Sequence, residues 1–302
     1  MATAKPLRPY TKPVLGPQGL LAHLESRGLA VASAADGIVA LQILERIDYY
    51  RLLSYMRPLQ VTDDAGVRRF VPGTTMRDVV ALYEFDRKLR LLCLDAVERI
   101  EVALRAAIVC EIAVSEGPDF YTHRAYYTSA GACDRFRDEV LRERGRNPAL
   151  RHYFATYRSP EMPPIWAAME AVTFGALSQL FSNLARPYRI RIARRFQVNE
   201  LVLSSWFRAV NGVRNICAHH ARLWNAPMHV NKPMAGREFA AEFTSTTDTF
   251  FDRAVVINLL LDRVAPLSGW KASLRELIDG SPHVDPARMG FPPGWRERLI
   301  WQ

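Results

Sequence analysis

The sequence predicts an all-α protein that carries one small β-hairpin near its N-terminus. Three observations lead to that reading. A run over 76–114 repeats apolar residues at helical spacing along its whole length. Shorter stretches elsewhere show the same period. Only residues 58–75 read as strands, with Leu59-Gln60-Val61-Thr62 and Arg69-Phe70-Val71 flanking the turn residues Asp63-Asp64-Ala65-Gly66. With 49% hydrophobic and 24% charged residues in 302, the chain can bury a substantial core.

In chain order, residues 1–17 are Pro-rich and read as an extended arm, followed by a helix over 17–27 that Gly28 ends. A second short helix over 35–47 carries Ile38, Leu41, Ile43, Leu44 and Ile47. Tyr49, Tyr50 and Tyr55, with Arg51 among them, either pack the N-terminal segment or stack bases, and packing is the favoured reading. Pro72-Gly73-Thr74-Thr75 closes the hairpin, and Thr75 with Asp78 three residues on marks a helix start.

Along 76–114, Phe85, Leu89, Leu92, Ala96, Ala103, Ala107 and Cys110 form one ridge. Cys93, Val97, Ile100, Leu104 and Ile108 form the next, so the helix should sit in the core. Arg87, Glu98, Glu101 and Arg105 run down the other side. Glu101 and Arg105 have the spacing of an ordinary helical ion pair. The sharper alternative is that Glu98 or Glu101 holds a residue of the motif described below.

Residues 115–164 interleave Phe120, Tyr121, Tyr126 and Tyr127 with seven arginines from Arg135 to Arg158. This suits either a single-stranded RNA groove or a charged helix near 131–145 with a solvated face. A helix over 166–184 contains Gly175, where a neighbouring helix can approach closely. Arg186, Arg189, Arg191, Arg194 and Arg195 make a second basic patch, and Asn199 caps the helix that follows. Asn225-Ala226-Pro227 should end that helix. Residues 226–245 look irregular, with helices expected over 246–264 and 270–278 and with Phe291 and Trp295 laid over the core.

Forty Lys and Arg against 31 Asp and Glu give a net charge of +9. The excess is mostly arginine, which pairs bidentately with phosphate and favours a polyanionic partner, although a GC-rich genome also enriches arginine. Cys93, Cys110, Cys133 and Cys217 are scattered without a paired spacing, so a reduced, cytoplasmic protein with no structural disulfide is expected. No metal or other cofactor is expected, and His219, His220 and His229 lack further ligands at suitable spacing. The N-terminal residues have no apolar leader core, and the most apolar late stretch, 255–261, is too short to span a bilayer.

Residues 206–225, WFRAVNGVRNICAHHARLWN, stand out. At about 100° per residue, Asn211, Asn215, His219 and Arg222 share a helix face. Val210, Val213, Cys217 and Leu223 or Trp224 lie on another, apolar one. Asn is a poor helix former, so two of them beside a His suggest a task other than solvation. Arg214 starts about 140° from His219 but is long enough to swing toward it. The three groups match what RNA cleavage needs. A His moves a proton near neutral pH, an Arg fork steadies charge on phosphorus, and an amide orients either. The attacking group would be the substrate's own 2′-hydroxyl, leaving a 2′,3′-cyclic phosphate and a 5′-hydroxyl. The plainer reading is a chance spacing around a histidine satisfied in the core.

Arg214-Asn215 and Ala218-His219 resemble the Arg-x4–6-His motif of HEPN-domain ribonucleases, and RNICAHHARLWN is similar to the signature of abortive-infection proteins of the AbiD/AbiF type. Further similarities are IDYYRLLSY at 47–55, LYEFDRKLR at 82–90, ERIE at 98–101, TFGALS at 173–178 and MGFPPGW at 289–295. The first departs from the family pattern at Asp48 and at Leu53-Ser54. The resemblance implies a HEPN-like helical core over 76–225, with residues 1–75 before it and a tail over 226–302 packed on it. It implies a homodimer in which two motifs face each other across one site, an anti-phage or toxin role, and restraint by an RNA or protein antitoxin or by a requirement for phage-triggered activation.

Under that reading Arg214, Asn215 and His219 are catalytic, and Arg222, Arg105, Arg191 and Arg194 bind RNA. Glu98 and Glu101 support them, and transfer RNA is one candidate substrate. The runner-up is a non-catalytic RNA-binding scaffold of the same shape. A helical DNA-binding regulator ranks third, because no helix-turn-helix pattern stands out.

Overall fold

The computed structural model describes residue 11 and residues 13–302. Most of the arm expected over 1–17 lies outside them. The chain divides into two compact units, residues 1–85 and 86–302. Residues 226–302 fall in the same unit as residues 86–225.

In the first unit, α1 (Pro17–Ser26) starts on a proline, whose missing N–H costs nothing there, and buries Leu21 and Leu24. Gly28 follows it in the left-handed region (φ 89°). Ser33 caps α2 (Ala34–Arg46) by accepting the Asp36 N–H. Asp48 caps α3 (Tyr49–Met56), its Oδ1 accepting from Tyr50 at 2.9 Å and Arg51 at 3.3 Å, so the departure from the family pattern leaves a competent cap. Tyr55 is buried edge-on against Tyr83, 5.5 Å between centroids, as the packing reading has it, whereas Tyr50 is exposed. β1 (Gln60–Thr62) pairs antiparallel with β2 (Arg68–Phe70), Val61 opposite Arg69. Asp63 accepts the N–H groups of Ala65 and Val67 to close the turn. Thr75 precedes α4 (Met76–Ile108), with both its N–H and its hydroxyl donating to the carboxylate of Asp78 in the first turn.

From residue 86 onward α4 belongs to the second unit. It continues through a π-helical turn, Val109–Ala113, into the short α5 (Val114–Glu116). Cys93, Val97, Ile100, Leu104 and Ile108 are all buried, as their spacing predicts, whereas Cys110 of the other ridge is exposed. Then come α6 (Ala130–Arg142), α7 (Pro148–Thr156), α8 (Ile165–Ala171), α9 (Phe174–Asn183), α10 (Arg186–Arg195), α11 (Glu200–Ala218), α12 (Phe250–Val264) and α13 (Trp270–Asp279).

The single helix expected over 166–184 is two. Val172 is extended and Thr173 begins a new helix by accepting the Ala176 N–H, so a local cap overrides the continuous apolar pattern. In the interval 115–164, Tyr121 and Tyr127 are buried, their hydroxyls donating to Pro163 and Tyr121 carbonyls at 2.7 Å. Those rings are core and cannot stack bases. Arg124, Arg142 and Arg146 are paired with Asp134, Glu139 and Glu143, as on a solvated face.

Helix α11 lies at the centre of this unit. Phe207 meets Phe174, Phe181 and Phe196 edge-on, 5.3 to 6.2 Å apart. Asn199 caps it through Leu201 N–H. Contacts Ser182–Ser204 and Gly175–Asn211 set α9 antiparallel to it. A Cβ on Gly175 would stand 3.3 Å from the Asn211 amide, the close approach its sequence predicts. Residues Phe250 to Leu261 of α12 are all buried. Phe291, Trp295 and Trp301 pack together over Phe251, which closes the chain onto the core as expected.

Candidate functional site

Arg214, Asn215 and His219 gather at the C-terminal end of α11. Over most of its length that helix is buried, but Asn215 and His219 are exposed and Arg214 is half-buried. Arg214 donates to the Asn215 side-chain oxygen at 3.5 Å. His219 is the residue where the helix stops (φ −87°, ψ 10°), its N–H still bonded to the Asn215 carbonyl. Arg214 and His219 are five residues apart, about 7.5 Å along a helix axis and about 140° around it.

The helix ends seven residues before the expected Asn225. His220 takes the left-handed conformation (φ 55°), its N–H bonds to the Cys217 carbonyl, and Ala221 N–H reaches back to Ile216. This pair of bonds is a Schellman stop, with a histidine where glycine is usual. Arg222 is therefore not on the helix face with Asn215. It is half-buried in the segment that follows. Leu223 and Trp224 are buried as predicted, but from this exit segment and not from the helix.

What fixes the exit segment is Asp86, which sequence reasoning passed over. Its Oδ1 accepts the backbone N–H of Leu223 (3.0 Å) and of Trp224 (2.5 Å), and its Oδ2 is paired with Arg90. Asp86 is fully buried. The signal was present, because Asp86 stands four residues after Leu82 and three before Leu89, an acid set in an apolar ridge.

Beneath the motif, Cys217 touches Cys93 of α4. The hydrogen bond between the two thiols, together with burial, pushes the Cys93 thiol well above its ordinary pKa.

A second unforeseen element is Arg253 on α12, only 2% exposed. It donates to the carbonyls of Thr247 and Thr249 and to those of Met228 and Val230 in the loop after the motif. Burial lowers its pKa, opposed by Asp252 and Asp248. The loop it holds brings Asn231 over α11, where a Cβ on Gly212 would lie 3.8 Å from the Asn231 amide nitrogen.

The other candidate residues do not converge on the motif through any bond among the described residues. Arg105 is held between Glu101 (2.5 Å) and Glu170 (2.8 Å), so Glu101 makes the ordinary helical ion pair. Glu98 is exposed beside Arg99. Arg191 is engaged by Glu116 and Ser115. With Arg186 on Glu200 and Arg195 on Glu111, three of the five arginines of α10 are spent on internal pairs. Arg194 is exposed with no ion-pair partner among the described residues. Those residues also contain no group of three His, Cys, Asp or Glu side chains that could hold a metal ion, and no helix long and apolar enough to cross a membrane.

The fold and site together define a helical protein with an arginine, an amide and an imidazole displayed at the end of its central helix. Residues 42–225, which include the whole of α11 and its exit segment, match the Abi-like protein family, and the chain belongs to that family. Membership places it among abortive-infection proteins, the class that acts in phage defence. No curated protein and no solved structure matches it.

Proposed function

We propose that the chain is a metal-independent endoribonuclease of the HEPN type, the toxic effector of an abortive-infection response. The observation that carries this reading is the placement of Arg214, Asn215 and His219 together at the exposed end of an otherwise buried helix. A helix end held by Asp86 from below has little room to drift, and preorganisation is what charge stabilisation in a transition state requires.

In the proposed reaction the 2′-oxygen of a ribose attacks the adjacent phosphorus. His219 takes the 2′-hydroxyl proton, and the bond from phosphorus to the 5′-oxygen breaks. His219 of a second copy returns a proton to that oxygen, which gives the homodimer its purpose. Arg214 stabilises the negative charge on the pentacoordinate phosphorus, and Asn215 positions Arg214 and the phosphate. Arg222 and Arg194 are further phosphate contacts, and cytoplasmic RNA, transfer RNA among it, is the substrate. Restraint of the toxin falls to an RNA or protein antitoxin.

Cleavage and binding kinetics test this. His219→Ala should lower kcat/KM for RNA by about 10²–10⁴-fold, the usual worth of a general acid–base group, with RNA affinity within twofold of wild type. Cleavage unchanged in the variant would remove His219 from the reaction. RNA bound tightly but left intact by the wild type would favour the scaffold reading.

A further inference from the structure

Away from the motif, α6 and α9 enclose a groove of about 130 Å³. Its floor is apolar, with Phe136 and Leu180 among the residues that form it, and its rim is polar. On the α6 side Arg142 is neutralised by Glu139 at 2.7 Å, which leaves Arg135 and Asp138 as the available charges. On the α9 side stand Gln179 and Asn183, one helical turn apart. None of these four side chains has an ion-pair or hydrogen-bond partner among the described residues, and Arg135, Asp138 and Gln179 are exposed. Arg135 folds back over Gly131, where a Cβ would lie 3.4 Å from its Nη1.

We propose that this groove is a base-recognition subsite for single-stranded RNA, selecting a nucleobase with an exocyclic amino group over uracil. The inference rests on RNA being the ligand of the motif at Arg214 and His219.

The chemistry of the rim argues for a base rather than a bare polyanion. The free charges cancel, so the groove has no excess of cations to hold several phosphates. It offers an apolar floor for a ring, two amides that can each donate and accept, and one carboxylate that can only accept. Amides pair bidentately with adenine, and carboxylates accept from the cytosine amino group. Uracil would turn a carbonyl oxygen toward Asp138. Arg135 is suited to the one phosphate that accompanies the base.

Its position fits a substrate path. Helix α9 touches α11 where Gly175 meets Asn211, one turn from Asn215. From Gly175 to Asn183 is about 12 Å at 1.5 Å per residue, the span of three or four stacked nucleotides at about 3.4 Å each. A strand seated at the motif can therefore lie along α9 into the groove.

Fluorescence anisotropy tests the subsite, with labelled eight-nucleotide oligoadenylate and oligouridylate. The full chain would carry His219→Ala to keep the RNA intact. The parent should bind oligoadenylate at least fivefold more tightly than oligouridylate. Gln179→Ala should weaken oligoadenylate about fivefold and oligouridylate less than twofold. Asp138→Asn should tighten oligouridylate until the two differ by less than twofold. Arg135→Ala should weaken both about threefold. Circular dichroism and melting of each variant check folding.

Equal affinity for the two RNAs in the parent, no RNA binding, or variants that bind like the parent would overturn the proposal. Loss of self-association in Arg135→Ala and Gln179→Ala, with RNA binding unchanged, would assign the groove to a second copy of the chain and overturn it too. The two readings fail separately. A wild-type chain that cuts nothing, with the groove variants shifted as stated, loses the nuclease and keeps the subsite. A chain that cuts RNA while the groove variants bind like the parent does the reverse.

Discussion

The buried carboxylate of Asp86 accepts the backbone N–H of Leu223 at 3.0 Å, 137 residues away in the chain. Through this bond the long helix α4 sets where the polypeptide goes once the motif helix has ended. The position of His219 is thereby tied at both ends, to the Asn215 carbonyl before it and through the exit segment to Asp86 after it.

Removing that carboxylate should be costly in both stability and function. Breaking a buried ion pair by deleting one partner costs about 3–5 kcal/mol, and Asp86→Ala deletes the partner of Arg90 together with the acceptor for Leu223 and Trp224. Asp86→Asn keeps a neutral acceptor and should lose roughly half as much. Urea unfolding measures the cost, and RNA cleavage by whatever folds should fall further than in a surface variant of equal stability. A stable, fully active Asp86→Ala chain would show that the exit segment is held by other means.

Gly290, in the closing MGFPPGW run, has φ 85°, and a Cβ there would lie 2.3 Å from the Thr249 Cβ. Thr249 caps α12 through Asp252, so it cannot move aside cheaply. Overpacking typically costs about 1–3 kcal/mol, and the left-handed backbone adds about 1 kcal/mol for a non-glycine residue. Gly290→Ala should accordingly lower the denaturation midpoint markedly while leaving the motif chemistry intact in the folded fraction. A midpoint equal to wild type would contradict the packing described here.

The four thiols should react at distinct rates. Cys110 is exposed, while Cys93, Cys133 and Cys217 are buried. The hydrogen bond from Cys217 and burial raise the Cys93 pKa, and burial raises that of Cys133, so neither forms thiolate readily. A thiol-specific reagent at pH 8 should modify one cysteine quickly in the native protein and four in denaturant. Cys110→Ser should abolish the fast phase. Rapid modification of two or more native thiols would mean that the region beneath the motif opens.

Asp248 sits with its carboxyl at a pKa of about 2, because the Thr246 hydroxyl donates to it. Partial burial opposes this, and His229 and Lys232 add to the lowering. The folded value lies below the ordinary 3.8, so the stabilisation is fully present above about pH 4 and is lost as pH falls through about 2. Thr246→Ala should move the Asp248 midpoint up toward 3.8, read by carboxyl ¹³C NMR. An unchanged midpoint would shift the cause to His229 and Lys232.

Much of the architecture was legible because it is local. The period of α4, the Thr75–Asp78 start, the Asp63–Gly66 turn, the Asn199 cap and the close contact at Gly175 all depend on residues a few positions apart. What was not legible depends on distant partners or on unusual backbone. Nothing in the pattern marks His220 as left-handed, so Pro227 looked like the natural end of the motif helix and Arg222 was carried onto its face. The Glu101–Arg105 pair was legible from its spacing, but the second partner of Arg105, Glu170, and the partner of Arg191, Glu116, were not, because they stand 65 and 75 residues away in the chain. The motif residues stand out in the sequence as a group, through two asparagines and a histidine at helical spacing where Glu and Lys would be ordinary.

The central claim is that the motif directs a 2′-hydroxyl against the neighbouring phosphorus, and the ends of the products test it most directly. Wild-type chain and His219→Ala would be incubated with cellular RNA in a chelator, and every new end identified. An oligonucleotide bearing the mapped site with one 2′-deoxy substitution would then be offered. The account predicts 2′,3′-cyclic phosphate and 5′-hydroxyl ends, absent with the variant, and no cut at the deoxy position. Ends of the opposite kind, 3′-hydroxyl and 5′-phosphate, or cleavage of the deoxy substrate at the wild-type rate, would contradict it.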